Sequence, residues 1–281
     1  MHITSWNIRG CSSALKICLL RRRIENEKPG IVFLQETKCS GEELTSIAQK
    51  IWKGCESVEI NAKGATGGMG ILWNPWDVNF SSFVATPFSH SAEFHILGTR
   101  IKGFMTNVYG PPREEHKLSF LDSLSVINKI VDDKPWILGG DFNLIRNLEE
   151  KKGGIWNLNP ASAQFNELID DLNSIDVRTS NGIFTWNKKH VGDRGISCRL
   201  DHFLISESIM VAGGELRAVL LPTTSLDNWP ISLEWENVGI NPCKPFIIEN
   251  FWLLQTDFHE KIWEWWEGFP PIKGTRMYQF Q

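Results

Sequence analysis

With 281 residues, of which 42% are hydrophobic and 22% charged, the chain is long enough for one large domain of ordinary soluble composition. Its formal net charge of −4 excludes an all-over basic surface of the kind that coats nucleic acid, so any polyanion must bind locally. No run approaches the roughly 18 apolar residues of a membrane span. Because the first predicted strand starts at His2, we expect no signal or transit peptide and a nuclear or cytoplasmic location.

Predicted strands and helices alternate along the chain. After a strand at 2–6, helical patterns cover residues 14–28, 41–52, 114–131 and 161–175. Hairpin-like strands are predicted at 71–73 and 78–84, on either side of Asn74 and Pro75, and at 92–97 and 99–108. This order predicts a mixed α/β domain with much antiparallel pairing.

The C-terminal segment differs from the rest of the chain. Pro242 and Pro245 interrupt it, and a capping-box pattern at 257–260 predicts the start of an aromatic-rich helix that stops at Gly268. We therefore expect a domain at 1–238, followed at 239–281 by a linker and an amphipathic Trp-rich helix. The apolar face of that helix either packs back on the domain or docks a partner.

The most informative segment is residues 136–143, an apolar strand that runs through two glycines to Asp141 and Asn143. Successive side chains of an extended strand point to opposite faces, so these two are predicted to share a face while Phe142 turns into the core. The carboxylate is suited to taking a proton from water, and the carboxamide to positioning an oxyanion. A capped turn, in which both side chains bind only backbone groups, is an equally good interpretation of this segment taken alone.

The same design, an apolar run that ends at a polar residue of catalytic type, recurs in five other segments. The polar residues are Asn7, Glu36, Tyr109, Asp201, and Asp227 with Asn228. If the strands lie side by side, these residues converge at one edge of the sheets. Convergence there predicts a cleft rich in oxygen ligands.

Other patterns carry less weight. The Gly-rich stretch at 64–70 lacks the ending of a phosphate-binding loop and is predicted to be a turn. The six cysteines lack paired spacings and are predicted to be reduced thiols that mostly pack. The arginine run at 21–23 favours a solvated helix face, whereas Lys188, Lys189 and Arg194 lie in a loop before Asp201 and are candidates for local polyanion contact.

Five motifs together resemble the endonuclease/exonuclease/phosphatase superfamily. They are WNIRG at 6–10, QETK at 35–38, VYGP at 108–111, GDFN at 140–143 and RLDHFL at 199–204. Within that superfamily the chain is similar to the apurinic-type endonuclease domain of plant non-LTR (LINE-type) retrotransposons, as FTW at 184–186 and WPISLEW at 229–235 also suggest. The similarity runs from His2 to about Trp235. The segment at 246–266 resembles the one that precedes the reverse transcriptase module in related full-length proteins.

The resemblance implies a DNase I-like fold, a four-layer sandwich of two packed mixed β-sheets flanked by helices, with a Mg²⁺-dependent phosphodiesterase site at one end. It implies that Glu36 is the principal metal ligand with Asn7 close by, and Mn²⁺ is an acceptable substitute for Mg²⁺. Asp141 would activate the attacking water, Asn143 would hold that nucleophile or a phosphate oxygen, and Tyr109 would donate to the phosphate. Each of these residues also has a plain structural role available, as a strand-end carboxylate or a half-buried aromatic.

The resemblance implies that DNA is the substrate. We expect no membrane association, and the sequence does not predict an oligomeric state. Six residues are candidates for contact with the nucleic acid: Arg9, Lys38, Trp186, Lys188, Lys189 and Arg194.

The last motif departs from the family pattern. Relatives carry Ser-Asp-His where this chain has Leu226, Asp227 and Asn228, so the catalytic histidine position holds asparagine. In the family that histidine pairs with the carboxylate matching Asp201 and contacts the scissile phosphate. Asparagine donates a hydrogen bond but does not titrate near neutral pH or carry positive charge. Losing a general acid or base costs about 10²–10⁴ in rate, which predicts an impaired enzyme.

Neither nearby histidine is expected to replace the missing one. His202 follows Asp201 on a strand and should face away from the cleft, and His190 lies in the preceding loop. Two alternatives to an impaired DNA-nicking enzyme stay open. One is an inactive remnant that at most binds nucleic acid or metal, and the other is a phosphatase of the same superfamily.

Overall fold

The computed structural model describes residues 1–60, 67–154, 157–188, 195–211, 214–222, 227–236, 261 and 263. The chain divides into two compact units, Met1–Gly239 and Ile240–Gln281, and every element below belongs to the first. The predicted helix at 257–268 lies outside the described residues except for positions 261 and 263, which are helical. The predicted division of the chain at residue 238 stays a prediction.

Strands and helices alternate through the first unit. The strands are β1 His2–Asn7, β2 Ile31–Gln35, β3 Glu56–Ile60, β4 Met69–Trp73, β5 Val78–Ala85, β6 Ser89–Ile96, β7 Lys102–Tyr109, β8 Trp136–Asp141, β9 Lys151–Lys152, β10 Ser174–Asp176, β11 Trp186–Lys188, β12 Ile196–Cys198, β13 Asp201–Ser206, β14 Glu215–Leu220 and β15 Ile231–Glu236. The α-helices are α1 Ala14–Glu27, α2 Gly41–Ile51, α3 Lys117–Val131, α4 Ala161–Asp171 and α5 Glu207–Val211, with 3₁₀ turns at Glu114–His116 and Leu148–Glu150. No helix among the described residues is long and apolar enough to cross a membrane.

Two mixed sheets form the centre of the domain. Within the described residues, one has six strands in the order β14-β15-β1-β2-β4-β3, and the other has six in the order β10-β13-β8-β7-β6-β5. β1 pairs with β2 in parallel and β7 with β8 in parallel, whereas the other neighbours in these two sheets are antiparallel. A separate small sheet has three strands in the order β11-β12-β9. The predicted class, two mixed sheets with flanking helices, is confirmed.

Three apolar clusters define four layers. The central cluster includes Phe33, Phe94 and Phe203, which strands of both sheets contribute, so the sheets pack face to face. A second cluster packs α3 and α4 on the sheet that contains β8, and a third packs α1 and α2 on the sheet that contains β1. Each Å² of apolar surface that these faces bury stabilises the folded state by roughly 25 cal/mol, and this burial is the main favourable contribution to folding.

The starts of α1 and α2 follow local sequence signals, whereas α3 and α4 begin without a side-chain cap, and one predicted helix end is wrong. Ser13 caps α1, and Ser40 with Glu43 forms a complete capping box at α2. The helix predicted at 161–175 ends at Asp171, because Asn173 takes a left-handed backbone with φ +45° and residues 174–176 pair with β13. An apolar residue at 175 fits a helical period equally well, so only tertiary pairing decides this end.

A buried polar layer separates the apolar centre from one end of the sandwich. The Gln35 side chain donates to Ser5 Oγ at 3.0 Å and to Asn107 Oδ1 at 2.7 Å, and Asn107 Nδ2 donates to the Leu34 and Gly70 carbonyls at 3.0 Å each. Gln35 belongs to β2 and Asn107 to β7, so these bonds join the two sheets. Buried hydrogen bonds of this kind favour one packing of the two sheets, although Gln35 Oε1 has no partner among the described residues.

His90 on β6 makes stability depend on pH. It is 2% exposed, and burial lowers its pKa from 6.5 to about 4. Between pH 6.5 and 4 the unfolded chain is protonated at this histidine and the folded chain is not, which favours unfolding. The free energy of unfolding is therefore highest above pH 6.5 and decreases as the pH falls towards 4. We expect a loss of about 3 kcal/mol from this group across the window.

Urea unfolding at pH 7 and pH 4.5 measures this effect when the parent is compared with His90→Gln. The variant should lose clearly less stability on acidification than the parent does, because glutamine does not titrate. Equal losses in the two proteins would show that His90 does not contribute the acid sensitivity.

Candidate active site

The strand-end residues singled out by the sequence meet at one end of the sandwich. Asn7, Tyr109 and Asp141 are the last residues of β1, β7 and β8, and Glu36 directly follows β2. Asp201 begins β13, which runs antiparallel to β8, and its Cα pairs with that of Asp141. Parallel pairing within each sheet brings these strand ends to the same edge, which lies just beyond the polar layer.

Asn7 joins the two sheets at this edge. Its Nδ2 donates to Glu36 Oε1 at 2.9 Å and to Asp141 Oδ2 at 2.8 Å, and the residue is only 2% exposed. The side-chain oxygen of Asn7 accepts the Arg9 backbone N–H at 3.2 Å. Asn7 is thus a hydrogen-bond donor that holds two carboxylates together. It lies next to Glu36, the metal ligand that the resemblance implies.

Asp141 and Asn143 form a capped turn as well as part of the cleft. Asp141 Oδ1 accepts the Asn143 backbone N–H at 2.9 Å, and Asn143 Nδ2 donates to the Gly110 carbonyl at 2.8 Å. The expectation that both lie on one extended face is wrong, because β8 ends at Asp141 and Asn143 has φ +51°. Phe142 is fully buried as predicted. The turn leaves the second carboxylate oxygen of Asp141 directed at Asn7.

The position before Asp141 requires glycine, because the backbone conformation and the neighbouring strand leave no room for a side chain. Gly140 has φ +151°, and an added Cβ would lie 2.0 Å from the Val108 carbonyl oxygen on the neighbouring strand. A side chain there would push β7 and β8 apart, directly beneath the carboxylate.

Burial and like charge raise the pKa values of Asp141, Asp201 and Tyr109. Burial, followed by the charge of Glu36, raises the pKa of Asp141 to about 6, against the hydrogen bonds from Asn7 and Asn143. Burial and the charge of Asp141 raise the pKa of Asp201 well above its usual range. Burial, with the charges of Glu36 and Asp141, also raises the pKa of the Tyr109 hydroxyl. The cleft therefore concentrates negative charge that favours a bound cation.

Thr185 positions Asp201, a role that the sequence did not suggest. Its Oγ1 accepts the backbone N–H groups of Leu200 and Asp201 at 2.9 and 3.1 Å, and the threonine is fully buried. A hydrogen bond from its side chain also favours the ionised form of Asp201. The only sequence signal was its place between Phe184 and Trp186 in a motif quoted for the resemblance.

Asn228 is buried against the end of β1. It is 3% exposed, and its Nδ2 donates to the backbone carbonyl of Asn7 at 3.2 Å. The backbone carbonyl of Asn228 accepts a hydrogen bond from Trp6 Nε1 at 3.3 Å. Its neighbour Asp227 is half exposed and pairs with Arg9 at 3.0 Å. The residue at the expected histidine position therefore lies at the cleft, next to Asn7.

Cations surround the mouth of the cleft. Arg9 contacts Asp227, and Lys38 Nζ lies 3.4 Å from Glu36 Oε2. Lys16, which the sequence did not indicate, donates to the Ile8 carbonyl at 2.8 Å and to the Arg9 carbonyl from the first turns of α1. Among the other predicted nucleic-acid contacts, Trp186 is half-buried on β11 and bridges to Asn228, and Lys188 is exposed. Positions 189, 190 and 194 lie outside the described residues.

The backbone is strained where the cleft residues sit. Arg9, Glu36, Lys38 and Asn143 have φ between +50° and +54°, a left-handed conformation that costs of order 1–3 kcal/mol at a residue other than glycine. Such strain persists only where surrounding contacts fix it, and it concentrates at functional sites.

The family assignment follows from sequence as well as geometry. The model of the endonuclease/exonuclease/phosphatase family matches residues 4–225, most of the chain. The chain belongs to this family. Its members generally use divalent metal ions.

Solved structures of the family have the same fold. The 3′-5′ exonuclease NExo from Neisseria meningitidis matches with a TM-score of 0.63 and 20% identity over 84% of this chain and 99% of its own. The AP endonuclease LMAP from Leishmania major has a TM-score of 0.67 and 17% identity, covering 83% of this chain and 86% of its own. The endonuclease domain of TRAS1, a telomere-specific non-LTR retrotransposon, has a TM-score of 0.64 and 15% identity, covering 84% and 98%.

The donor set of the cleft fits a hard divalent cation. Glu36 and Asp141 offer carboxylate oxygens on either side of the Asn7 amide, and Asp201 adds a buried carboxylate beside them. Mg²⁺ binds through one or two carboxylates and keeps several waters, so a site with few protein oxygens suits it. Buried like charges at this density also need a positive partner.

A second acidic group in the family fold has a different character. Glu150, Asp176 and His202 bring ligand atoms within 4.8 Å of one another, an arrangement able to hold a metal ion. Arg199 lies among them, however, and donates to Glu150 at 2.7 Å and to both oxygens of Asp176 at 2.6 and 2.7 Å. The guanidinium already neutralises these carboxylates, so we interpret the group as an ion-pair network.

His202 belongs to this network and not to the cleft. It is fully buried, one ring nitrogen lies 3.4 Å from Asp176, and the other lies 3.1 Å from the Leu144 carbonyl. Its ring packs edge-on against Phe142 and Phe165 on the helical side of the sheet. It therefore faces away from Asp201, as its position on a strand predicted.

Proposed function

We propose that this chain is a Mg²⁺-dependent phosphodiesterase that nicks DNA, derived from a plant LINE-type retrotransposon and impaired at the histidine position. The observation that carries the proposal is the bridge from Asn7 to both Glu36 and Asp141. It places a candidate metal ligand and a candidate base on the two sides of one buried amide, at the sheet edge where the remaining strand-end residues meet.

Glu36 is the residue that would hold the ion, with Asn7 fixing its orientation through the hydrogen bond to Oε1. A bound Mg²⁺ supplies charge stabilisation for a phosphoryl oxygen. The pKa of Asp141, raised by burial to about 6, leaves the carboxylate ionised near neutral pH and still basic enough to take a proton from water. The capped turn holds Asn143 beside it, with Nδ2 donating to the Gly110 backbone carbonyl, so in this proposal its Oδ1 is the atom left to accept a hydrogen bond from the nucleophile.

Tyr109 and Asp201 complete the phosphate side of the cleft. The raised pKa of Tyr109 keeps its hydroxyl protonated, so it serves as a hydrogen-bond donor to a phosphate oxygen. Asp201, fixed by Thr185, has no titratable partner at position 228, because asparagine does not titrate, and the Asn228 amide donates to the Asn7 backbone carbonyl. This side therefore lacks the group that would carry positive charge and donate a proton.

DNA is the substrate best supported by the surroundings of the cleft. Although the net charge is −4, cationic and aromatic groups for binding a phosphate backbone lie near the cleft. They are Arg9 and Lys38 at its mouth, and Trp186 and Lys188 on β11. One similar structure is a retrotransposon endonuclease domain, and another is NExo bound to a product DNA hairpin. A nuclear location and a neighbouring reverse transcriptase module follow only from this proposal.

Relaxation of supercoiled plasmid by the full chain tests the activity, with Mg²⁺ in one arm and EDTA in the other. We expect slow nicking that requires Mg²⁺ and falls about 10²-fold or more in Asp141→Asn, which keeps the shape of the turn but removes the base. The matched control is Asp122→Asn, the same change at an exposed position of α3, which should nick like the parent. Equal rates for parent and Asp141→Asn would contradict the proposal.

A second candidate function is an inactive remnant that binds Mg²⁺ or DNA without cleaving. Asn228 favours it, because the side chain is buried and already hydrogen-bonded to the end of β1. Calorimetric Mg²⁺ binding by the parent, together with no nicking before or after Asn228→His, would replace the proposed enzyme with this remnant.

A further inference from the structure

Two cysteines lie in contact between the loops that carry the candidate metal ligands. Cys11 follows β1 and Cys39 follows β2, and their Sγ atoms are 3.4 Å apart. Both are free thiols in the structure, with 0% and 6% of the residue exposed. The Cys11 thiol also lies 3.3 Å from the Thr37 carbonyl. Their contact therefore spans the segments that contain Asn7 and Glu36.

The two loops are already aligned by their backbones. The Gly10 N–H donates to the Glu36 carbonyl at 2.5 Å, and the Cys11 N–H donates to the Thr37 carbonyl at 3.0 Å. A disulfide has an S–S length of about 2.05 Å, so closing the present separation needs a movement of about 1.4 Å at the sulfur atoms.

The two thiols differ in acidity, which gives them different roles. The hydrogen bond from Cys11 lowers the pKa of Cys39 to about 7, with help from Thr37, and the same bond with burial raises the pKa of Cys11. Burial raises the pKa of the Cys55 thiol, by contrast, to about 11. Because thiolates are the reactive form, Cys39 is the thiol that attacks first.

We propose that Cys11 and Cys39 form an oxidation site that closes to a disulfide when the protein reacts with hydrogen peroxide. The site lies outside the proposed catalytic groups, and its formation does not depend on the proposed nuclease activity. It joins the segment bearing Asn7 and Arg9 covalently to the segment bearing Glu36 and Lys38.

The chemistry balances in two steps. The Cys39 thiolate attacks one peroxide oxygen, the O–O bond breaks, and the departing hydroxide takes up a proton to become water, leaving a sulfenic acid on Cys39. Cys11 then attacks the Cys39 sulfur, the S–O bond breaks, and the hydroxide leaves as water with the proton of the Cys11 thiol. Two thiols lose two electrons, the peroxide gains them, and an added dithiol reverses the reaction.

Thiol mapping of the full chain tests the proposal directly. The reduced protein is freed of reductant, treated with hydrogen peroxide while folded, blocked with N-ethylmaleimide, and digested for mass spectrometry. We expect a cross-linked peptide pair containing Cys11 and Cys39, lighter by two hydrogen atoms than the reduced pair and lost on adding dithiothreitol. Cys55 and Cys198, which are buried elsewhere, should not join it.

Variants separate the two roles and guard against misfolding. In Cys11→Ser, Cys39 should retain a sulfenic acid that a dimedone probe labels, whereas Cys39→Ser should leave Cys11 without that label. The control Cys55→Ser should form the cross-link like the parent, and circular dichroism melts confirm that each variant is folded. Full alkylation of both Cys11 and Cys39 in peroxide-treated parent protein would overturn the proposal, and this arm needs no variant.

Discussion

Replacing Asn228 by histidine is expected to raise the rate of Mg²⁺-dependent plasmid nicking at least about tenfold. The substitution returns a titratable, positively charged group to a position that is 3% exposed and lies beside Asn7. A general acid or base contributes about 10²–10⁴ in rate where its geometry is complete, and partial alignment in a site adapted to asparagine accounts for the lower bound. Asp201, now without a titratable partner there, would orient the imidazole.

The rate should be measured as a function of pH for the parent, Asn228→His and the control Asn79→His, which places histidine on the exposed side of β5. Only Asn228→His should gain activity, and its rate should show a pH dependence in addition to the one that Asp141 gives both proteins, with thermal melts showing that it is folded. An unchanged rate in a folded Asn228→His would mean that position 228 is not the missing catalytic group.

Replacing Arg199 by methionine is expected to destabilise the domain by roughly 3–5 kcal/mol. Arg199 is the cation between Glu150 and Asp176, and the three side chains are between 1% and 5% exposed. Burial opposes ionisation of Asp176, but His202 and Arg199 outweigh it and hold the pKa of that carboxyl well below its usual range. Methionine fills similar volume but leaves both buried carboxylates without the guanidinium that contacts them both, while Asp176 keeps His202 and Arg146.

Urea unfolding at neutral pH gives this free energy, with Arg217→Met as the matched control. Arg217 is mostly exposed and lies 3.9 Å from Glu234, so its loss should change stability by no more than about 0.5 kcal/mol. If Arg199→Met unfolds within about 1 kcal/mol of the parent, the ion-pair interpretation of this group is wrong. A metal bound among Glu150, Asp176 and His202 would then become the better account.

Strand ends were the part of the site that sequence predicted well. An apolar run followed by Asn7, Glu36, Tyr109 or Asp141 gives each side chain its place from local pattern alone, because a strand emerging from the core must end at its edge. Once parallel pairing is assumed, the common edge follows. Recognition of the superfamily motifs supplied the four layers, which local periodicity alone does not determine.

Contacts across long stretches of chain were beyond the sequence pattern. Asn7 and Asp141 are 134 residues apart, and nothing local to either indicates that the amide bridges two carboxylates. Thr185 and Lys16 likewise act through backbone groups that only the fold brings near. The left-handed backbone at Asn143 escaped prediction because a side-chain cap, not strand propensity, decides it.

The most direct test of the proposed chemistry compares Asn228→His with the double variant Asn228→His/Asp141→Asn in Mg²⁺-dependent nicking of supercoiled plasmid. The first variant has both sides of the cleft in place, so its activity does not depend on how far Asn228 impairs the parent. We predict clear nicking by Asn228→His, abolished by EDTA, and a loss of about 10²-fold or more in the double variant. Equal nicking by the two folded variants would contradict the assignment of Asp141, which Asn7 joins to Glu36, as the catalytic base.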